Sequence, residues 1–396
     1  MTPRQRVQTA LEHQEPDRVP LDFGTGGNSS PTPEFYANLK THLGIQSETR
    51  LLPHYLRLAH VDESVLQKLS IDTRHILMHP TTRYRRPCNT AGQSYDEWGV
   101  RWKEVNAGEV TYSEMAESPL ATAKAADLAA YQWWPNAIDP ERFRGLHDEA
   151  ERLHKTTDYA LVGAPGFNGV WERAWYMCGL ERALEGLLQE QDFMHALLSR
   201  IADACKAALG CYLDQVGPYI QIIKLADDLG TQNGPMMSPA TYRRMIKPYH
   251  KKLIDFVKRR TNAKIFFHTC GSVYSLLPDL IDAGVEILNP VQASAKDMDT
   301  RQLKSEFGRR ISFMGAIDTQ TVLPHGSPAD VKREVEQRIA ELAPGGGYIV
   351  APTHNVQGDV PPENLIALYS HAQKVGQYPI AHTMKAQASK TLEIEE

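Results

Sequence analysis

Short runs of apolar, largely β-branched and aromatic residues alternate along the chain with longer segments whose apolar positions recur every three or four residues. The short runs are VPLDF (19–23), TRHILM (73–78), YALVGA (159–164), IQIIKLA (220–226), KIFFH (264–268), VEILNP (285–290), ISFMGA (311–316) and YIVAP (348–352). Runs of this length read as buried strands, and most are separated by ten or more residues of helical periodicity. SPATYRRMIKPYHKKLIDFVKRR opens on Ser238 as an N-cap and carries Tyr242, Met245, Ile246, Tyr249, Leu253 and Val257 along one face. SVYSLLPDLIDAG and PADVKREVEQRIAELAPGGG end in glycine-bearing stops. Strands alternating with helices predict an α/β chain with a parallel sheet, and eight such strands predict a (β/α)8 TIM barrel.

The interval between the second and third runs is too long for one crossover. Within it WGVRWKEV and EVTYSEM alternate around Asn106-Ala107-Gly108, which predicts a β-hairpin. Residues 1–380 are therefore expected to form one barrel, with 79–140 as a small β insertion after the second strand. The end of the chain, 381–396, reads as a polar tail.

Composition narrows the function classes. The 396 residues carry a formal net charge of −5, with acids and bases interspersed, so neither a nucleic-acid groove nor a basic membrane patch is expected. No apolar run approaches the roughly 18 residues of a membrane span, and the N-terminus lacks a signal-like stretch, so a cytoplasmic protein is expected. The five cysteines (Cys88, Cys178, Cys205, Cys211, Cys270) include no CxxC pair and argue against a disulfide framework. Cys205 and Cys211, in a helical stretch, read as small buried hydrophobes.

Cys270 is different. In FFHTCG it follows a strand and stands two residues from His268. Thiolate and imidazole are preferred zinc ligands, and side chains two apart on a strand point the same way. Alone, the pair is as well read as a hydrogen-bonded core histidine beside an inert cysteine. The other strand ends add to it: YIVAP runs into Thr353-His354-Asn355, IQIIKLA into Asp227-Asp228, VEILNP ends with Asn289, and Asp318 follows ISFMGA. In a barrel these ends open onto one face, where active sites lie. Three protein ligands with an open position is the pattern of a catalytic zinc. Asp227 and Asp228 are candidate acid–base groups, one of them a candidate fourth ligand or partner of a ligand imidazole, with turn capping as the alternative. Asn289 and Asp318 read as substrate-binding groups or loop caps. Asn168, Trp171 and Trp175, in FNGVWERAW, read as a substrate pocket or as a core stripe. The loop GTGGNSS (24–30) lacks a dinucleotide or Walker spacing and reads as a close-approach loop above the barrel.

HTCG after a strand, a GAID segment, and PENLIALYSHAQK resemble the uroporphyrinogen decarboxylase superfamily. The segments RVQTALEHQEPDRVPLDFG, LADDLGTQNGPMMSPATYRRMIKPY and GGYIVAPTHNVQGDVPPENL carry the same likeness, over roughly residues 3–378. The pattern is similar to the branch of zinc-dependent corrinoid methyltransferases, the methylcobamide:coenzyme M methyltransferase-like proteins among them. The resemblance implies a (β/α)8 barrel and a zinc site at His268, Cys270 and a third ligand seven residues before the proline that opens the last helix. That proline is Pro361, and the position is held by His354 where the family usually has cysteine. A site with one thiolate rather than two is the stronger Lewis acid and suits a methyl donor better than a thiol acceptor. The arginine-rich loop with which the tetrapyrrole decarboxylase binds carboxylates is absent from residues 24–30.

The resemblance thus implies methyl transfer between a small O- or N-methylated substrate and a corrinoid. The chain has no DxHxxG corrinoid motif, so the corrinoid is expected on a partner protein; a homodimer is compatible with the same reading. Two alternatives stand beside it: a zinc-dependent lyase or decarboxylase of a small carboxylated substrate with Asp228 as acid or base, and a metal-free binding or regulatory barrel.

Overall fold

A computed structural model describes the chain except residues 25–26, 53–56, 82–92, 108–109, 167–168 and 381–396. Its centre is a curled parallel sheet of seven strands: β1 (Thr73–Leu77), β5 (Ala160–Ala164), β6 (Ile222–Ala226), β9 (Lys264–His268), β10 (Ile287–Val291), β11 (Ser312–Ile317) and β12 (Tyr348–Pro352), neighbouring in that order. The strands between them in sequence are β2 (Gln93–Tyr95), β3 (Arg101–Ala107) and β4 (Val110–Glu117), which form one antiparallel sheet, and the two-residue β7 (Gly230–Thr231) and β8 (Gly234–Pro235).

The period of two along each parallel strand sorts the core into two layers. Ala160, Val162, Ile222, Phe266, Ile287, Met314, Ile349 and Ala351 form an inner cluster, joined by Val7 and Leu11 of the first helix, Pro3–Leu11. Their neighbours Leu161, Ile223, Ile265, Phe267, Leu288, Phe313 and Val350 belong to the larger cluster shared with the surrounding helices. A sheet whose two faces bury separate apolar clusters is consistent with the barrel that the strand pattern predicts.

Seven of the eight expected strands are present. The first, VPLDF, makes a single parallel bridge, Leu21 to Val350, rather than a ladder. Pro20 has no N–H to give, and the Leu21 N–H donates to the Asp72 carboxylate at 2.8 Å instead of to a strand. The segment still joins the two outer strands. Asp22 N–H donates to Val350 O at 2.9 Å, and Asp72 N–H donates to Leu21 O at 2.9 Å.

The helix expected over 238–260 is two helices, Pro239–Met245 and Lys247–Lys258. Pro248 cannot donate back to the preceding turn, and Ile246 takes φ −117°. Ser238 is the N-cap, accepting from Thr241 N–H at 3.1 Å. The two glycine stops are also present: the helix Leu277–Ala283 ends at Gly284 with φ 105°, and Pro328–Leu342 runs into three glycines of positive φ.

Residues 93–117 carry three antiparallel strands where two were expected, with Trp102 opposite Met115. Asp96 ties this sheet to the helix Trp171–Cys178 through Arg173 at 2.7 Å, and Trp102 lies edge-on to Tyr176. The polar tail 381–396 lies outside the described residues.

Candidate metal centre

The ends of β9 and β12 bring His268, Cys270 and His354 together, with one ligand atom from each lying within 4.8 Å of the others. The Cys270 thiol stands 3.3 Å from His268 Nε2, and the two imidazole rings have centroids 5.8 Å apart. Two ligands of one tetrahedral zinc stand about 3.3–3.6 Å apart, given Zn–N near 2.0 and Zn–S near 2.3 Å. The Cys270–His268 pair stands at that spacing, and His354 is close enough for the three together to hold such an ion.

The fit extends to the tautomer. Asn289, paired with His268 across β9 and β10, donates from Nδ2 to Met314 O at 3.3 Å, which turns its oxygen toward the ring. Asn289 Oδ1 then accepts from His268 Nδ1 at 2.7 Å, so the proton is on Nδ1 and the Nε2 lone pair faces Cys270. Burial pushes His268 down to about 4 and also lowers His354. Both imidazoles are therefore neutral near pH 7 and able to ligate. Burial, and the nearby Asp228 and Glu172 carboxyls, push the Cys270 thiol well above its usual range. A bound cation would reverse that and ionise it.

The loop after β9 is held tightly. Thr269 N–H donates to Asn289 O at 2.7 Å, and Cys270 N–H donates to Asp228 Oδ1 at 3.0 Å. Gly271 has φ 80°, and a Cβ there would come within 2.6 Å of Thr231 O, so the hairpin β7–β8 requires glycine at this point. Beside Cys270 and His354 opens a cavity of about 310 Å³ whose walls include Gln232, Gln292, Asp318 and Thr319.

The remaining expected site residues divide. Asp228 lies at the centre, 4.0 Å from His268 Nε2, and its side chain is partly exposed. Asp227 does not share this role. Its Oδ2 accepts from Val170 N–H at 2.8 Å, Trp171 N–H at 2.7 Å and His250 Nε2 at 2.8 Å, and Oδ1 accepts from Glu172 N–H at 2.5 Å. Both oxygens are consumed in capping the helix Trp171–Cys178, not the loop that follows Asp227 itself. Asn289, expected to bind substrate, is 4% exposed and orients His268 instead. Asp318 lines the cavity, where it also accepts from Gln320 N–H at 2.8 Å. Trp171 is fully buried in the main core, so it is a core residue and not a pocket wall. Asn168 lies outside the described residues.

Sequence reasoning missed Glu172. Its side chain is half-buried, Tyr176 OH donates to its Oε1 at 2.5 Å, and its proximity raises the Cys270 thiol. The signal was only its place one residue beyond Trp171.

Known proteins match this chain in sequence and in fold. The family model for uroporphyrinogen decarboxylase (URO-D) matches residues 107–375. A uroporphyrinogen decarboxylase of Sodalis glossinidius is 26% identical over 235 residues, which cover 57% of this chain and 62% of that protein. A methylated-thiol–coenzyme M methyltransferase of Methanosarcina mazei is 23% identical over 235 residues, 59% of each chain. The matched region thus spans about three fifths of these two relatives. Among solved structures, a methyltransferase from Methanosarcina mazei superposes with a TM-score of 0.62 at 17% identity, covering 94% of this chain and 99% of that one, and so shares its fold. The chain belongs to the uroporphyrinogen decarboxylase family.

Proposed function

We propose that this chain is a zinc-dependent methyltransferase that moves a methyl group between a small O- or N-methylated substrate and a corrinoid carried by a partner protein. The observation that carries this reading is the His268–Cys270–His354 group, with His268 fixed in its ligating tautomer by Asn289. Zinc held there would withdraw charge from the ether or amine heteroatom and make it a better leaving group. The protein supplies the rest. The cavity beside Cys270 and His354 admits the substrate, Asp318 offers an acceptor in its wall, and Asp228 stands ready as an acid–base group. His354 in place of a second thiolate leaves the centre less negative, which favours withdrawing charge from a methyl donor. In this reading residues 1–380 act as one barrel with 79–140 as an insertion, and the protein works in the cytoplasm. Among the described residues no helix is long and apolar enough to cross a membrane.

A second reading, a zinc-dependent lyase or decarboxylase of a small carboxylated substrate, is favoured by the decarboxylases among the relatives. The experiment is methyl transfer from a panel of methyl ethers and methylamines to Co(I) corrinoid, with zinc-loaded protein. Formation of methyl–cobalt supports the proposal. Substrate turnover without corrinoid, releasing carbon dioxide, supports the lyase.

A further inference from the structure

Beyond the metal ligands, one side chain at the same mouth has been given no part. Asp227 grips the N–H groups of Val170, Trp171 and Glu172, so the first turn of the helix Trp171–Cys178 is pinned against the end of β6. Glu172 projects from that turn. Its Oε1 accepts from Tyr176 OH at 2.5 Å, one helical turn on. Gly169 locates its other oxygen: a Cβ on that glycine would stand 3.3 Å from Glu172 Oε2 and 3.4 Å from Ala226 O. Ala226 is the partner of His268 across β6 and β9. Glu172 Oε2 therefore lies at the rim of the metal centre, and it has no hydrogen-bond partner among the described residues.

We propose that the Glu172 carboxyl is the proton donor to the departing heteroatom of the substrate, held in place by Tyr176. This rests on the methyl-transfer reading for the identity of the reaction. The charged and titratable groups around Glu172 are Asp227 and Asp228 from the end of β6, Arg173 and Tyr176 from its own helix, and Cys270 from the end of β9. Burial, then the charge of Asp228, push Glu172 up to about 8, with Tyr176 opposing. Glu172 is thus an acid at neutral pH, and beside it at the same rim Asp228 is partly exposed and accepts the Cys270 N–H.

In the demethylating direction the partner's Co(I) corrinoid donates an electron pair to the methyl carbon. The carbon–heteroatom bond breaks with its pair going to the heteroatom, and Glu172 passes its proton there. Alcohol or amine leaves, methyl–cobalt(III) forms, and solvent reprotonates the carboxylate. Departure as a neutral product is worth about 10²–10⁴-fold in rate for a well-placed acid.

The first readout needs no turnover. Infrared difference spectra of the wild-type protein across the range around pH 8 should show a protonated-carboxyl C=O band that titrates there and is missing in Glu172→Gln. Tyr176→Phe removes a donor to the carboxylate and should move the band to higher pH. In zinc-loaded protein, Glu172→Gln should keep its metal, lose roughly 10²-fold or more in methyl transfer, and lose the alkaline limb of the pH profile, with Glu172→Asp partly restoring both. A wild-type protein that transfers methyl but shows no such band overturns the donor role alone, as does a Glu172→Gln variant at wild-type rate. No methyl transfer by zinc-loaded wild type overturns the reaction reading and the donor role with it.

Discussion

Asn289 is the residue that sets the tautomer of His268. Its amide is fixed by Met314 O, and its oxygen fixes the His268 proton on Nδ1. Outer partners of this kind are worth about 10–100-fold in metal affinity. Asn289→Ala should therefore weaken zinc binding by that factor while leaving the protein folded, as measured by competition with a chromophoric chelator. Unchanged affinity would mean that the 2.7 Å contact does not orient the ring. At this scale the sequence was partly legible. HxC at a strand end and a histidine at another end were visible as types and places. The division of labour was not, because Asn289, Asp227 and Trp171 look alike on the page as polar or aromatic residues beside strand ends. Only the partners of each side chain separate an imidazole-orienting amide from a substrate contact, and a helix cap from a catalytic acid.

Two elements position the site through buried carboxylates. The helix Trp171–Cys178 starts where Asp227 collects three backbone N–H groups and the His250 ring. Replacing Asp227 by Ala strands buried donors, each costing on the order of 1–3 kcal/mol. Asp227→Ala should lower stability by about 3 kcal/mol or more in urea titration, whereas a protein of unchanged midpoint would show that water satisfies the same donors. The segment 19–23 closes the sheet through Asp72, 1% exposed, which accepts from Arg6 Nη1 at 2.6 Å, Arg18 Nη1 at 2.8 Å and Leu21 N–H at 2.8 Å. Removing one partner of such a buried ionic group costs about 3–5 kcal/mol. Asp72→Ala is expected to fall in that range by the same titration, and hydrogen exchange should rise first at Leu21. The run VPLDF was visible in the sequence. Its reliance on a side chain 51 positions away was not, since Pro20 announces a missing donor but not its replacement.

For the whole molecule, His75 and Asp17 link stability to pH in one direction, opposite to that of Glu172. Burial lowers His75, with Asp22 opposing. Partial burial pushes Asp17 up, but hydrogen bonds from Arg6 and the terminal ammonium more than reverse this and hold it well below the usual carboxylate range. Each group binds fewer protons in the native than in the unfolded chain, so its contribution is present above its unfolded value and lost on acidification. The contribution of His75 to the urea midpoint should thus fade as pH falls below about 6.5, its ordinary value, and that of Asp17 below about 3.8. The midpoint lost on His75→Gln substitution should therefore be smaller below that pH than above it; a loss that grows on acidification would contradict the sign. Fold class was legible at this scale because strand and helix periods differ and survive in any homologous packing. The break at Pro248 and the third antiparallel strand were less so, since both depend on tertiary partners.

The proposed activity depends on His268, Cys270 and His354 holding one metal ion. The direct measurement is zinc per chain, by mass spectrometry of the metal, in protein prepared without chelators, for wild type and for His354→Ala. Close to one zinc per chain is expected in the wild type, with a marked loss in the variant. A wild-type protein without zinc, or a variant that keeps it in full, would contradict the site and the methyl-transfer reading built on it.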